Sequence, residues 1–316
     1  MAVNTKEIQY RIKSVKNTKK ITKAMEMISA AKMKKATDNV LKTRSYAGLA
    51  WEMLQDVSVK ADTSIHPLLE TREVKKLGIL LISSNRGLCG GFVAKLLTQT
   101  DKYIKELKKT SQDLEVEVVV MGKKGTKIYK YYGHTISSEF EKQDLTTKIE
   151  EILPIARTVT GDFISKKYDK VVLAYTDFIS PVNQEPRIKE LLPLGSEDEM
   201  LGQAKRAGGQ HTPNPSQEGN SLLEEGREVS SQEFKFEPSP VKVLEVLLPK
   251  LVEMQVYQAI LESDASEHSA RMMAMRNASD AAGDMIDDLT LTFNKARQSA
   301  ITQEISEIVG GAAALE

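Results

Sequence analysis

Between Leu247 and Ala300 a stripe of side chains advances by four and three residues in strict alternation. It runs Leu247, Leu251, Met254, Gln258, Leu261, Ala265, His268, Met272, Met275, Ser279, Ala282, Ile286, Leu289, Phe293, Ala296, Ala300, and thirteen of the sixteen are apolar. A sustained period of 3.5 residues keeps one seam facing a partner only when two helices wind about each other in a left-handed supercoil. Ser239-Pro240 supplies an N-cap and a first-turn proline, so the helix is read from Ser239 to about Val309. Pro249 is expected to bend it near its start. Such a helix is on the order of 100 Å long, and alone in water it would leave its stripe exposed. Another segment must cover it.

The first segment is the natural partner. Residues from Thr5 to Val57 hold no proline and no glycine before Gly48. Ile8, Ile12 and Val15 open a stripe, Thr18, Ile21, Met25 and Ile28 are read as carrying it on, and Ala31, Met33, Ala36 and Val40 extend it less regularly. The total charge is zero, but it is unevenly placed. Met1–Ser45 carries 12 Lys/Arg against 3 Asp/Glu, and Val241–Glu316 carries 6 against 12. A basic helix alone would suggest nucleic acid. An acidic helix in the same chain makes an antiparallel intramolecular pair the simpler reading.

Between the helices the period changes. Short apolar runs at Leu77–Ser83, Val116–Met121 and Val171–Thr176 read as buried strands, with further strands at His134–Ser138 and Arg187–Pro193. Helical patterns at Phe92–Lys109, Lys123–Tyr132 and Thr146–Lys167 separate them. Alternation of this kind implies βαβ units and a mostly parallel sheet. The expected fold is therefore α/β: a long antiparallel two-helix coiled coil from the N- and C-terminal segments, with a Rossmann-like α/β domain inserted. Residues 1–58 form the first helix, 74–238 the α/β domain and 239–316 the last helix. Residues 195–232 lack periodicity and read as a flexible insert, after which Phe234-Lys235-Phe236 alternates like an edge strand.

Little in the chain looks catalytic. Ser84–Gly91 (SNRGLCGG) joins a strand to a helix, where phosphate loops sit, but its glycine spacing fits neither G-x-G-x-x-G nor G-x-x-x-x-G-K-[ST]. It reads as a tight structural turn. Gly122-Lys123-Lys124-Gly125 has the shape of an RNA-binding G-x-x-G tetrapeptide, yet one tetrapeptide is better read as a basic surface turn. Four dispersed histidines and a lone Cys89 give no metal cluster and no intrachain disulfide. No cofactor is expected. No apolar run approaches a membrane span, and the N-terminus lacks the apolar core of a secretory signal.

Three segments carry a resemblance over nearly the whole chain. They are Ile12–Met27 (IKSVKNTKKITKAMEM), Asn85–Gly91 (NRGLCGG), and Ser266–Met275 (SEHSARMMAM) followed by Phe293–Glu304 (FNKARQSAITQE). These resemble the gamma subunits of bacterial F-type ATP synthases. The resemblance implies a non-catalytic rotor shaft, one copy per complex, inside a hexamer of alpha and beta subunits. It also implies contact with the epsilon subunit and the membrane ring of c subunits, at the cytoplasmic face of the cell membrane as a peripheral protein. Ion flow, of protons or sodium, would drive the beta sites through their affinities. By the same resemblance Met25, Arg271, Gln298 and Thr302 fall at positions that contact beta or influence coupling. Ser306 stands where many members have threonine. Lys20 and Lys23, beside Lys19 and Met25, would face acidic loops of beta without fixed pairs. The insert at 195–232 is longer than in many bacterial members and has no cysteine, so it is read as decoration without a thiol switch. The alternative is a nucleotide-binding α/β protein with coiled-coil arms, which the missing phosphate-loop patterns disfavour.

Overall fold

The computed structural model describes residues 5–60, 66–111, 113–142, 149–194 and 240–313. In chain order these form α1 (Thr5–Lys60), β1 (Lys76–Ile82), α2 (Phe92–Thr110), β2 (Glu115–Met121), α3 (Lys123–Tyr131), β3 (Ile136–Phe140), α4 (Ile149–Ile164), β4 (Lys170–Phe178), β5 (Gln184–Leu192) and α5 (Pro240–Ala313). A 3-10 turn at Pro67–Leu69 follows α1, its Leu68 amide donating to the His66 ring. The insert, the strand expected at Phe234–Phe236 and the Ser239 cap lie outside the described residues. Among those residues no helix is long and apolar enough to cross a membrane.

The terminal helices pair antiparallel. Ala36 and Val40 of α1 pack on Leu261 and Ala265 of α5. Nearer the start of α1, the Lys19 ammonium lies 2.8 Å from where a Cβ on Gly283 would stand. As one residue number falls the other rises. On α5 the stripe behaves as the 3.5 period requires. Leu251, Leu261, Ala265, Met275, Ser279 and Ala282 are buried, and Ile286, Leu289, Phe293 and Ala296 are half-buried. The helix runs through Pro249 for 74 residues in all.

On α1 the expected stripe is corrected. Ile21 is 61% exposed and Ile28 57% exposed. The seam follows the 4,3 step through Ile8, Ile12 and Val15, then Thr22, Glu26 and Ser29, then Met33, Ala36 and Val40, all buried or half-buried, and Met25 of the expected stripe is half-buried beside it. The partner's unbroken period fixes the register. Small Thr22 and Ser29 then let the helices approach in this middle stretch. The apolar residues Ile21 and Ile28 are left on the flank.

The sheet runs β3-β2-β1-β4-β5, parallel except for β5, which returns as a hairpin on β4. Its strands are apolar on both faces because both faces are covered. Leu80, Ile82, Val119, Leu173 and Tyr175 meet Ile152, Ile155 and Phe163 of α4 and Leu248, Val252 and Val256 of α5. Ile79, Leu81, Val118 and Val120 meet Phe92, Leu96 and Ile104 of α2 and Tyr129 of α3. Truncating one such residue to alanine costs about 2–5 kcal/mol.

Strand order reverses between β1 and β4, so the crevice at their C-terminal ends is where an open α/β sheet ordinarily receives a ligand. Here α5 fills it. Ser263 Oγ donates to the Ile82 carbonyl at 3.5 Å and Ser266 Oγ to the Thr176 carbonyl at 3.2 Å. These two small side chains bring the backbone of α5 down onto the strand ends.

Candidate functional site

The turn after β1 is built first by hydrogen bonds to β2. Ser83 N–H donates to the Met121 carbonyl at 2.8 Å, and Ser83 Oγ lies 3.0 Å from both the Gly122 carbonyl and the Gly125 amide. Gly122 has φ +103°, and a Cβ there would stand 2.8 Å from the Ser83 carbonyl oxygen. A Cβ on Gly125 would strike Ser83 Oγ. Both glycines of the Gly122–Gly125 tetrapeptide are thus accounted for by the approach of Ser83. Asn85 continues the clamp. Its Oδ1 accepts from the Lys123 amide at 3.2 Å, and its Nδ2 donates to the Lys142 carbonyl.

That last bond places Lys142 against α5. Its ammonium, in a residue 4% exposed, lies 2.7 Å from Asp264 Oδ1 and 2.8 Å from Glu267 Oε2. Arg271 completes the group, donating from Nη2 to Glu267 Oε1 at 2.6 Å, from Nε to the Gly87 carbonyl at 3.3 Å, and lying 3.3 Å from the His268 ring. Two cations and two carboxylates are therefore shared among the turn, the strand end and the long helix. Burial alone would raise the Glu267 carboxyl, but Lys142 and then Arg271 overcome it and hold the group at about 2. Burial works to lower the Lys142 ammonium, and Asp264 and Glu267 reverse this, so its pKa is raised. Burial lowers His268 to about 4, against Glu267 and with Arg271, so it is neutral at pH 7. Burial likewise pushes the Cys89 thiol up, which keeps it protonated and unreactive.

Arg271 also faces outward into a groove of about 290 Å³. Met25, Ile28 and Lys32 line it from α1, Arg86 and Leu88 from the turn, and His268 from α5. Leu88 is 61% exposed at its lip. Among the described residues the lining is basic and apolar with no carboxylate, a surface suited to an acidic partner carrying apolar side chains. Met25 and Arg271, far apart in sequence, thus share one groove. Lys20 and Lys23 lie exposed on α1 nearby, and Lys23 is paired with Glu26 of its own helix at 2.9 Å. An exposed pair of this kind is worth little.

Gln298, Thr302 and Ser306 are elsewhere. They lie about 40 Å further along α5 at 1.5 Å per residue. All three are exposed, and each hydroxyl is turned back onto its own helix, Thr302 Oγ1 to the Gln298 carbonyl and Ser306 Oγ to the Thr302 carbonyl, both at 2.9 Å. Ile301, Ile305, Ile308 and Val309 are exposed around them. Among the described residues nothing covers this end, and so long an apolar run asks for a surrounding partner.

Sequence reasoning passed over Lys142, Asp264 and Glu267. Asp264, Glu267 and Arg271 at three- and four-residue steps on one helix carried a signal, since acids amid serine and alanine next to an apolar seam must find cations. Lys142 carried none, because its partner Glu267 is 125 residues away.

A family model described as "ATP synthase" matches residues 4–315. The chain is 40% identical over 315 residues to an ATP synthase gamma chain of Chloroflexus aurantiacus, covering 99% of each. It is 41% identical over 314 residues to the ATP synthase gamma chain of Dehalococcoides mccartyi, again covering 99% of each. A chain of the Euglena gracilis mitochondrial ATP synthase, solved with its F1 part and c-ring, superposes with TM-score 0.62 at 18% identity, covering 98% of this chain and 94% of that one.

Proposed function

The chain belongs to the family of ATP synthase gamma chains, and from that premise we propose that it is the central rotor shaft of a proton- or sodium-driven F-type ATP synthase. Residues 1–58 and 239–316 form the shaft, and 74–238 the body that turns with it. The shaft end bearing Gln298, Thr302 and Ser306 stands inside the alpha–beta hexamer. The body meets epsilon and the c-ring, and the protein sits peripherally on the cytoplasmic face of the membrane. Its work is mechanical: it presents one face after another to the beta subunits and binds no nucleotide of its own.

One observation supports this reading above the others. The four-charge group of Lys142, Asp264, Glu267 and Arg271 locks the sheet to a helix whose far end is uncovered. A load applied to the body is then passed to the tip through buried charge pairs and a close-packed core, not through a hinge. The nucleotide-binding alternative loses ground to α5, which fills the crevice such a ligand would need.

The test is co-purification of the chain with alpha and beta subunits, with ATP hydrolysis assayed with and without it. The reading requires a stable complex with cooperative turnover only when the chain is present. Within that complex Met25→Lys adds a cation to a groove already holding Lys32, Arg86 and Arg271. It should leave assembly intact and lower the ions pumped per ATP hydrolysed; an unchanged ratio would remove Met25 from the coupling surface.

A further inference from the structure

Beside the plugged crevice the fold leaves a second cavity of about 280 Å³, between the start of α2, the end of β4 and α5. We infer that this cavity is a binding site for a small inorganic oxyanion of the phosphate type, held by the α2 N-terminus, Lys95 and the Thr176 hydroxyl. The inference stands apart from the rotor reading and does not depend on it.

Three independent features converge. The first is Thr176. It is 3% exposed, its Oγ1 has no hydrogen-bond partner, and it lines the cavity on the sheet face that carries α2. A buried hydroxyl is costly to leave unsatisfied, and its backbone carbonyl is already taken by Ser266. The second is the start of α2. Its N-cap is Gly91, which has no side chain to satisfy the first-turn amides. Phe92 N–H turns back to the Cys89 carbonyl and Lys95 N–H to Gly91. Gly90, Gly91 and Phe92 of this start line the cavity, at the positive end of a helix 19 residues long whose first-turn amides have no intrahelical partner. The third is charge. Among the described residues Lys95 is the only charged one of the lining. Its aliphatic stem lies back over Gly91, 3.6 Å from where a Cβ would stand, which carries the ammonium toward the N-terminus of its own helix. Among the described residues no carboxylate lines the cavity, and Asn277 of α5 contributes to its wall.

The loop does not match a nucleotide fingerprint. What the fold adds is the hydroxyl from β4, eighty-odd residues on in sequence, which fits three or four anionic oxygens better than an adenine or a ribose. An anion seated here would touch the body and α5 together, so its occupancy would tie α2 to the shaft.

The test is titration of the full chain with inorganic phosphate at constant ionic strength, followed by the amide resonances of Gly90, Gly91, Val93 and Ala94, with chloride as the control. The expected result is a saturable shift confined to the α2 start and Thr176, competed by sulfate and absent with chloride. Thr176→Val, which keeps the shape and removes the hydroxyl, should weaken binding about tenfold, as loss of a hydrogen bond to a charged group does. Lys95→Gln, at an exposed position, should weaken it as well and flatten its salt dependence, and it keeps the test available if Thr176→Val misfolds. No saturable shift, or equal affinity in wild type and Lys95→Gln, overturns the proposal and leaves the Thr176 hydroxyl to water. Shifts that appear only when alpha and beta are bound overturn it too, since the occupant would then be a partner's carboxylate.

Discussion

Replacing Lys142 by methionine keeps the length of the unbranched stem and removes one of two cations from a buried group of four charges. Asp264 and Glu267 then both lose the Lys142 ammonium, while Glu267 retains Arg271. Removing one member of a buried ion-pair group in this way costs about 3–5 kcal/mol, because buried carboxylate charge loses part of its compensation. The carboxyl itself gives a second route to the size of the effect. Glu267 falls from an ordinary 4.5 to about 2 under Lys142 and Arg271 together, which at roughly 1.4 kcal/mol per unit is about 3 kcal/mol, an upper bound on the part that Lys142 supplies. Because the folded value is the lower one, this contribution is present above about pH 4.5 and is lost as pH falls towards 2. The difference between wild type and Lys142→Met should therefore be full at pH 7 and close progressively on acidification. Urea unfolding of the full chain followed by circular dichroism measures the global cost. Hydrogen exchange at Ser83–Gly91 shows whether the turn opens first, since Asn85 is anchored on the Lys142 backbone. The double variant Lys142→Met/Asp264→Asn removes one charge of each sign and leaves Glu267 paired with Arg271, so it should regain most of the loss. A single variant within about 1 kcal/mol of wild type at pH 7, or a double variant no better than the single, would refute the claim that this group fastens the body to the helix.

Two other predictions rest on different contacts. Ile28→Ser, at an exposed flank position, should leave the isolated chain within about 0.5 kcal/mol of wild type, whereas Val40→Ala, 1% exposed on the seam, should cost about 1–3 kcal/mol by chemical denaturation; the reverse order would restore the stripe through Ile21 and Ile28. Gly122→Ala should destabilise by about 1–3 kcal/mol through its positive φ alone, with a further cost from the clash with Ser83, and its thermal midpoint should fall accordingly.

What the sequence made legible follows from periodicity. The unbroken 4,3 step from Leu247 to Ala300 determined the helix, its need for a partner and the heptad seam. The runs LGILLI and VVLAYT determined buried strands, because only a sheet covered on both faces tolerates them. Three things were not legible. Periodicity scores residues by hydrophobicity, so it chose Ile21 and Ile28, while packing chose Thr22 and Ser29 for their size. Neither β1–β4 adjacency nor the entry of α5 into the crevice has a local signature, so the roles of Ser263 and Ser266 were invisible until the strands were placed. The Lys142 group is long-range charge complementarity, which a linear reading sees only as a lone lysine and a pair of acids. The positions singled out by the family resemblance divide the same way. Met25 and Arg271 are brought into one groove by the fold, and Gln298, Thr302 and Ser306 share a helix face that their four-residue spacing already implied.

The central claim is that α5 and the α/β body turn as one rigid unit relative to the alpha–beta hexamer. The direct measurement is single-molecule rotation: the alpha–beta hexamer immobilised, a probe attached to the exposed end of α3 at Tyr131 or Tyr132, and ATP supplied. The account predicts unidirectional stepping of the probe, abolished when the chain is cross-linked to beta. A probe that stays fixed or only fluctuates while ATP is hydrolysed would contradict it.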